Sequence, residues 1–128
     1  MGNGTSIGKV RGLGSAHEGA HHWLLQRTTA IGNLILMSWL LVSFLILPDF
    51  SYSSVAGWLS KPIAAVPMIL LVISLFWHAR LGLQVLIEDY IHNAGSKFAF
   101  ISALNLAAFG GAAFAVFSIA SLAFTGAA

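Results

Sequence analysis

Three long stretches of apolar residues constrain the fold of this chain more than any other feature. They cover about residues 28–47, 63–87 and 98–124, and helices of that length cross a hydrocarbon core of about 30 Å. Charged residues make up 8% of the 128 residues, against about a quarter in a soluble domain. The sequence therefore predicts an all-α membrane protein with three transmembrane helices in a lipid bilayer. A net charge of +2 is too small to indicate a nucleic-acid partner.

The segment before the first apolar stretch is short and polar. Residues 1–14 are rich in glycine and predict a flexible N-terminal tail, without the apolar core of a signal peptide. Ser15 and Glu18 fit a capping box that opens a short interfacial helix. The remainder, residues 15–128, is predicted to form a single three-helix membrane anchor.

The basic residues predict the orientation of the three helices. Lys9, Arg11 and Arg27 precede the first apolar stretch, and Lys97 lies in the loop between the second and third. The loop between the first and second contains only Lys61. Because basic residues favour the cytoplasmic side, we expect a cytoplasmic N-terminus and a periplasmic C-terminus.

One face of the second apolar helix carries an unusual set of side chains. His78 and Asp89 are eleven residues apart, so they differ by about 20° around the helix and about 16 Å along it. Gly82 and Val85 lie on the same stripe between them, and Tyr90 stands beside Asp89. The stripe therefore has an imidazole at mid-depth and a carboxylate at the membrane surface.

A histidine within a membrane helix has two interpretations that stand level on the sequence alone. Imidazole is a common axial ligand of haem iron, and Gly82 would leave room for the porphyrin edge. Alternatively, His78 forms a hydrogen bond with a neighbouring helix. The other two apolar stretches contain no histidine, so a haem with two histidine ligands needs a second imidazole from another polypeptide.

Asp89 and Tyr90 are candidates for a quinone site. A phenol donates a hydrogen bond to a quinone carbonyl, and a nearby carboxylate can help to deliver protons. The alternative is a tyrosine of the interfacial aromatic belt beside solvated acids, and on spacing alone this alternative is favoured.

His21 and Arg27 are candidates for contact with haem propionates, because both lie at the predicted cytoplasmic interface and anionic propionates need donor or cationic partners there. An ordinary anchor that follows the positive-inside rule is the alternative for Arg27. His17 and His22 are interpreted as solvated interface residues.

Arg80 and a stripe of small residues bear on helix packing. Arg80 projects about 200° around the helix from His78, and we expect it to extend toward the cytoplasmic surface or to pair with a neighbouring subunit. Ala107, Gly111 and Ala115 recur at intervals of four in the third stretch, which favours close approach of another helix.

Taken together, these motifs resemble the smaller (D-type) cytochrome b membrane-anchor subunits of succinate dehydrogenase, respiratory complex II. The resemblance covers roughly residues 15–124. Four motifs carry it: Arg27-Thr28-Thr29-Ala30-Ile31, His78-Ala79, Gln84-Val85-Leu86 and Asp89-Tyr90. A further feature is His21, which lies six residues before Arg27. Arg80 departs from relatives that have an uncharged residue there.

The resemblance implies a specific role for each candidate residue. His78 would be one axial ligand of haem b, shared with a larger cytochrome b anchor subunit. Asp89 and Tyr90 would border the ubiquinone site, with Tyr90 hydrogen-bonded to a quinone carbonyl, and His21 and Arg27 would lie near the haem propionates. Electrons would come from succinate through a flavoprotein subunit and an iron–sulfur subunit. The chain would then be a multi-pass protein of the bacterial inner membrane, without catalytic activity of its own.

Three other functions remain open. The chain is alternatively a structural anchor that binds no haem, or the anchor of a fumarate reductase. A small proton or solute carrier that uses His78, Glu88 and Asp89 as a relay is less favoured, because no inverted repeat is visible.

Overall fold

The computed structural model describes residues 16–126 and contains four helices. They are α1 (Ala16–Ile46), α2 (Tyr52–Leu59), α3 (Pro62–Tyr90) and α4 (Ala94–Thr125). Three segments are long and apolar enough to cross a membrane: Ala20–Ile46, Pro62–Tyr90 and Ala94–Thr125. The predicted all-α fold with three transmembrane helices is therefore confirmed.

The beginning of the chain adds one difference from the sequence analysis. The segment expected to form a short interfacial helix joins the first membrane helix without a break, so α1 runs for 31 residues. The predicted tail over residues 1–14 and the capping box of Ser15 with the Glu18 side chain lie outside the described part of the molecule.

Helix α3 is the centre of the arrangement. It packs against α1 on one side and α4 on the other, and within residues 16–126 α1 and α4 do not approach each other. The three membrane helices therefore form a single layer rather than a closed bundle. The short helix α2 contacts α3 and α4, and Trp58 of α2 stacks on Trp39 of α1 with 5.6 Å between the ring centroids.

Short polar turns connect the helices. Ser51 caps α2, its side chain accepting a hydrogen bond from the Ser54 amide, and Asn93 caps α4 by accepting from the Ser96 amide at 3.0 Å. The Ser51 hydroxyl also donates to the Asp49 carboxylate, and this hydrogen bond holds the pKa of Asp49 below its usual range. With α4 beginning at Ala94, residues 91–93 form a tight turn and α3 and α4 run antiparallel.

Helices α3 and α4 approach closely at a glycine. A Cβ atom added to Gly111 would lie 2.6 Å from Cε1 of Phe76, so the Phe76 ring of α3 occupies the space that a side chain on α4 would need. The predicted role of this small residue in helix packing is confirmed.

Very little of the molecule is buried. Of the described side chains, none is buried in residues 20–46 of α1, four are buried in α3 and one is buried in α4. Large apolar side chains such as Leu45 and Phe124 are 86% and 90% exposed. In water such a surface would be unstable, so it must be covered by lipid or by other membrane helices. The buried side chains of the described region are all apolar: Ala56, Ala64, Ala65, Leu71, Leu81 and Ile119.

Candidate functional site

His78 lies half-buried between α3 and α1. Its Nδ1 is 3.0 Å from the hydroxyl oxygen of Thr29 on α1. The Ser74 hydroxyl, one turn away on α3, donates to the backbone carbonyl of the same threonine at 3.4 Å. Thr29 therefore contacts α3 twice, and its contact with His78 fixes the direction of the imidazole ring. Thr29 belongs to the motif Arg27-Thr28-Thr29-Ala30-Ile31, but the sequence alone did not predict this role for it.

The second ring nitrogen of His78 remains available. Of the described side chains, the atoms that are both buried and without a hydrogen bond are His22 Nε2 and Asn33 Oδ1. His78 Nε2 has no hydrogen bond to the side chains described in residues 20–126 and is not among these buried atoms, so it keeps some exposed surface. The two interpretations of His78 are thus compatible, because one nitrogen contacts a neighbouring helix and the other is free.

The space beside Gly82 borders α1. A Cβ atom at this position would lie 3.9 Å from Nε2 of Gln26 on α1. This is an ordinary van der Waals distance to the end of a flexible side chain, and a single such contact does not fill the space beside Gly82. That Gly82 leaves room for a porphyrin edge stays a prediction.

A polar cleft of about 610 Å³ lies between α1 and α3, toward the N-terminal end of α1. His21, predicted to face a propionate, lines this cleft. His22 also lines it, and its Nε2 is buried with no hydrogen-bond partner among the described side chains, so His22 is only partly in contact with solvent. The side chain of His17 is outside the described part of the molecule. The other polar residues of the lining are Gln26, Arg80, Gln84 and Glu88.

Arg80 contacts α4 of the same chain. Its Nε donates to Oδ1 of Asn105, and its guanidinium lies 5.3 Å from the ring centroid of Trp77 and 5.8 Å from that of Phe109. These are a hydrogen bond and two cation–π contacts. The expectation that Arg80 extends to the surface or pairs with a neighbouring subunit is therefore wrong, because its partners lie within the α3–α4 seam.

Arg27 is not brought near His78. It is two residues from Thr29 on α1, so it points about 200° away from the residue that faces α3. Its guanidinium lies 5.3 Å from the ring centroid of Trp23, and it does not line the cleft that contains His21. Arg27 and His21 therefore share one end of α1 but not one face.

Asp89 and Tyr90 lie exposed at the end of α3. Tyr90 is 77% exposed and borders an apolar groove of about 420 Å³, formed with Leu86, Ile87, Ile91 and Phe100. Because twelve residues separate Tyr90 from His78, the two side chains differ by about 120° around α3. Tyr90 therefore points to a different side of the helix from His78, whereas Asp89 stays on the His78 face, about 20° away.

Residues 1–112 match the family described as "Succinate dehydrogenase/Fumarate reductase transmembrane subunit". The chain belongs to this family. The match includes all five residues singled out from the sequence, namely His21, Arg27, His78, Asp89 and Tyr90.

Individual members of the family agree with this assignment. A protein of Rickettsia bellii named succinate dehydrogenase hydrophobic membrane anchor subunit is 44% identical over 87 residues, which cover 68% of this chain and 70% of the relative. A protein of Rickettsia conorii with the same name is 40% identical over 88 residues, again 68% and 70% of the two chains. No solved structure matches the chain significantly. The resemblance to succinate dehydrogenase membrane anchors is confirmed.

Proposed function

We propose that this chain is the smaller (D-type) anchor subunit of a succinate dehydrogenase in the bacterial inner membrane. The names of its relatives support succinate as the substrate of the complex. The largely exposed apolar surface of the three spans supports contact with lipid and with a larger cytochrome b anchor subunit. A flavoprotein subunit and an iron–sulfur subunit would complete the assembly on the cytoplasmic side.

The observation that carries the haem assignment is the state of His78. With Nδ1 directed at Thr29 and Nε2 accessible, the imidazole has the arrangement of a metal ligand oriented by an outer-shell partner. A haem b held here would supply a one-electron carrier within the membrane. A porphyrin brings four ligands of its own, so one imidazole from this chain and one from the larger anchor subunit would complete the coordination.

His21 and Arg27 are proposed to lie near the haem propionates. His21 lines the polar cleft that extends from the α1–α3 seam, and this supports it as a donor to an anionic group. Arg27 lies on a different face of α1, so it would reach a propionate only from the side of α1 that faces the partner subunit. Of the two, His21 has the stronger support from the geometry.

Asp89 and Tyr90 are proposed to border the ubiquinone site. The phenol of Tyr90 can donate a hydrogen bond to a quinone carbonyl, and the apolar groove beside it suits the ring and the start of its tail. The Asp89 carboxylate is exposed next to it and can relay a proton from water. Electrons from succinate would reach the quinone at this end of α3.

A histidine pair in the chain tests the haem assignment. His78→Ala in the assembled complex is expected to remove or change the low-spin haem spectrum, since an axial ligand is lost. His92→Ala is the matched control, because His92 is exposed in the turn between α3 and α4 and should leave the spectrum unchanged. A normal spectrum in the His78 variant would reject His78 as the ligand, whereas a wild-type complex that purifies without haem would favour the structural anchor.

The two tyrosines of the chain test the quinone assignment in the same way. Tyr90→Phe is expected to lower the rate of quinone reduction while the oxidation of succinate by an artificial dye continues. Tyr52→Phe removes a phenol of similar exposure, 75%, at the start of α2, and should change neither rate. Equal quinone reduction in both variants would show that Tyr90 does not contact the quinone.

The family also includes fumarate reductase subunits, so the direction of the reaction needs its own measurement. Because the named relatives belong to succinate dehydrogenase, we expect the complex to reduce quinone with succinate faster than it reduces fumarate with quinol. The reverse ratio under matched conditions would assign the chain to a fumarate reductase.

A further inference from the structure

The hydroxyl of Thr29 has more partners than it has protons. It lies 2.8 Å from the carbonyl of Leu25 and 3.1 Å from that of Gln26, both on its own helix. It also lies 3.0 Å from Nδ1 of His78. A threonine hydroxyl carries one proton and two lone pairs, so the protonation of the imidazole can be argued from these contacts.

The two carbonyls can only accept, and the one at 2.8 Å is the shortest of the three contacts. A threonine within a helix commonly directs its proton back to the carbonyl four residues earlier. With the proton given to Leu25, a lone pair of the Thr29 oxygen faces His78. Nδ1 must then carry a hydrogen, and a neutral imidazole with Nδ1–H has an unprotonated Nε2.

From this arrangement we infer that Thr29 is a positioning residue for His78: its hydroxyl accepts from Nδ1–H, selects the tautomer whose Nε2 binds a metal, and fixes the plane of the ring. The inference rests on the proposed haem function. An acceptor at Nδ1–H also raises the basicity of the ligand and so favours the oxidised iron. Because a neutral hydroxyl is a weaker acceptor than a carboxylate, the effect on the reduction potential is moderate.

The bond from Ser74 to the Thr29 carbonyl strengthens this role. It ties the backbone of the same residue to α3, one turn from His78. The position of the hydroxyl relative to the imidazole is therefore set by the packing of the two helices and not by the rotamer of Thr29 alone. A side chain held in this way can impose one ring orientation on His78.

Adjacent threonines provide a matched test in the assembled complex. Thr29→Val keeps the shape of the side chain and removes the acceptor. Thr28→Val removes an exposed hydroxyl whose one hydrogen bond within the described residues goes to the Leu24 carbonyl at 2.9 Å. We expect Thr29→Val to raise the midpoint potential of the haem and to shift the electron paramagnetic resonance signal of the oxidised haem, which responds to the orientation of the axial imidazoles. Thr28→Val should match the wild type in both, and Thr29→Ser, which keeps the hydroxyl, should restore both values.

The outcomes separate this inference from the proposed function. If His78→Ala removes the haem signal but Thr29→Val behaves like Thr28→Val, the positioning role of Thr29 is overturned and the haem assignment stands. If the haem signal survives His78→Ala, the proposed function fails first. If Thr29→Val does not assemble, the same two measurements on Thr29→Ala test the positioning role, because the smaller alanine also removes the acceptor.

Discussion

At the scale of single residues, two neighbouring glycines have different surroundings. Among the described residues, no atom beyond the local helix backbone and the adjacent residues lies within 4 Å of the position where a Cβ of Gly110 would be, whereas a Cβ of Gly111 would overlap the Phe76 ring. The sequence spacing identified Gly111 as part of a small-residue stripe but did not identify its partner. The contrast shows that a glycine in a membrane helix is required only where another side chain occupies its space.

We expect Gly111→Ala to lower the thermal stability of the complex and Gly110→Ala to leave it unchanged or slightly higher. The added methyl at position 111 forces a rigid aromatic ring to move, at a cost of about 1–3 kcal/mol, while alanine at position 110 improves helix propensity without a clash. The melting temperature of the purified complex measures both. Recovery in a Gly111→Ala, Phe76→Leu double variant would identify the ring as the cause, and equal melting temperatures for the two single variants would contradict the packing argument.

At the scale of helices, α3 makes different contacts on its two sides. Toward α1 it presents His78 and Ser74, which meet a single threonine. Toward α4 it presents Phe76 and Arg80, which meet a glycine and an asparagine. Hydrogen bonds between membrane helices fix which faces meet. The hydrophobic effect cannot do so, because lipid tails are as apolar as the side chains of a neighbouring helix. The two seams therefore hold α3 in one rotation about its axis.

The α3–α4 seam gives a prediction for Arg80. Asn105→Leu is expected to destabilise the complex by about 1–3 kcal/mol, because the arginine Nε loses its acceptor within the membrane. Adding Arg80→Met should recover part of that loss, since removing both partners is less costly than leaving one of them unsatisfied. A double-mutant cycle on thermal stability measures the coupling. Strictly additive effects would mean that the bond does not contribute to the seam.

At the scale of the whole molecule, the single-layer arrangement leaves both faces of α3 partly open. One face contains the polar cleft with His21 and Arg80, and the other the groove beside Tyr90. Because α1 and α4 do not approach each other within the described residues, covering these faces depends on lipid and on other subunits. One small chain therefore presents two separate grooves along α3.

The orientation of the layer can be tested by labelling. The sequence has no cysteine, so an introduced thiol has no background. Ser53 is exposed in α2, and Ser53→Cys should react with a membrane-impermeant thiol reagent on intact spheroplasts. His92 is exposed in the turn before α4, and His92→Cys should react only after the membrane is permeabilised. The unmodified chain is the control. The opposite pattern would place the N-terminus in the periplasm and overturn the orientation predicted from the basic residues.

The sequence by itself determined the number of membrane helices, the fold class and the family. These follow from the length of each apolar stretch and from motifs within one helix, such as the eleven-residue step from His78 to Asp89. A period of about 100° per residue fixes where a side chain stands around its own helix axis. For this reason the separation of Arg80 from His78 was also predicted correctly.

Only the tertiary structure decided what lies opposite each face. It placed Thr29 at Nδ1 of His78, Gln26 beside Gly82 and Asn105 at Arg80. Helical periodicity carries no information on which helix is the neighbour or on the register between two antiparallel helices. That register depends on contacts between residues far apart in the chain. Here these contacts are the hydrogen bonds of Thr29 and Arg80 and the packing of the Phe76 ring against Gly111.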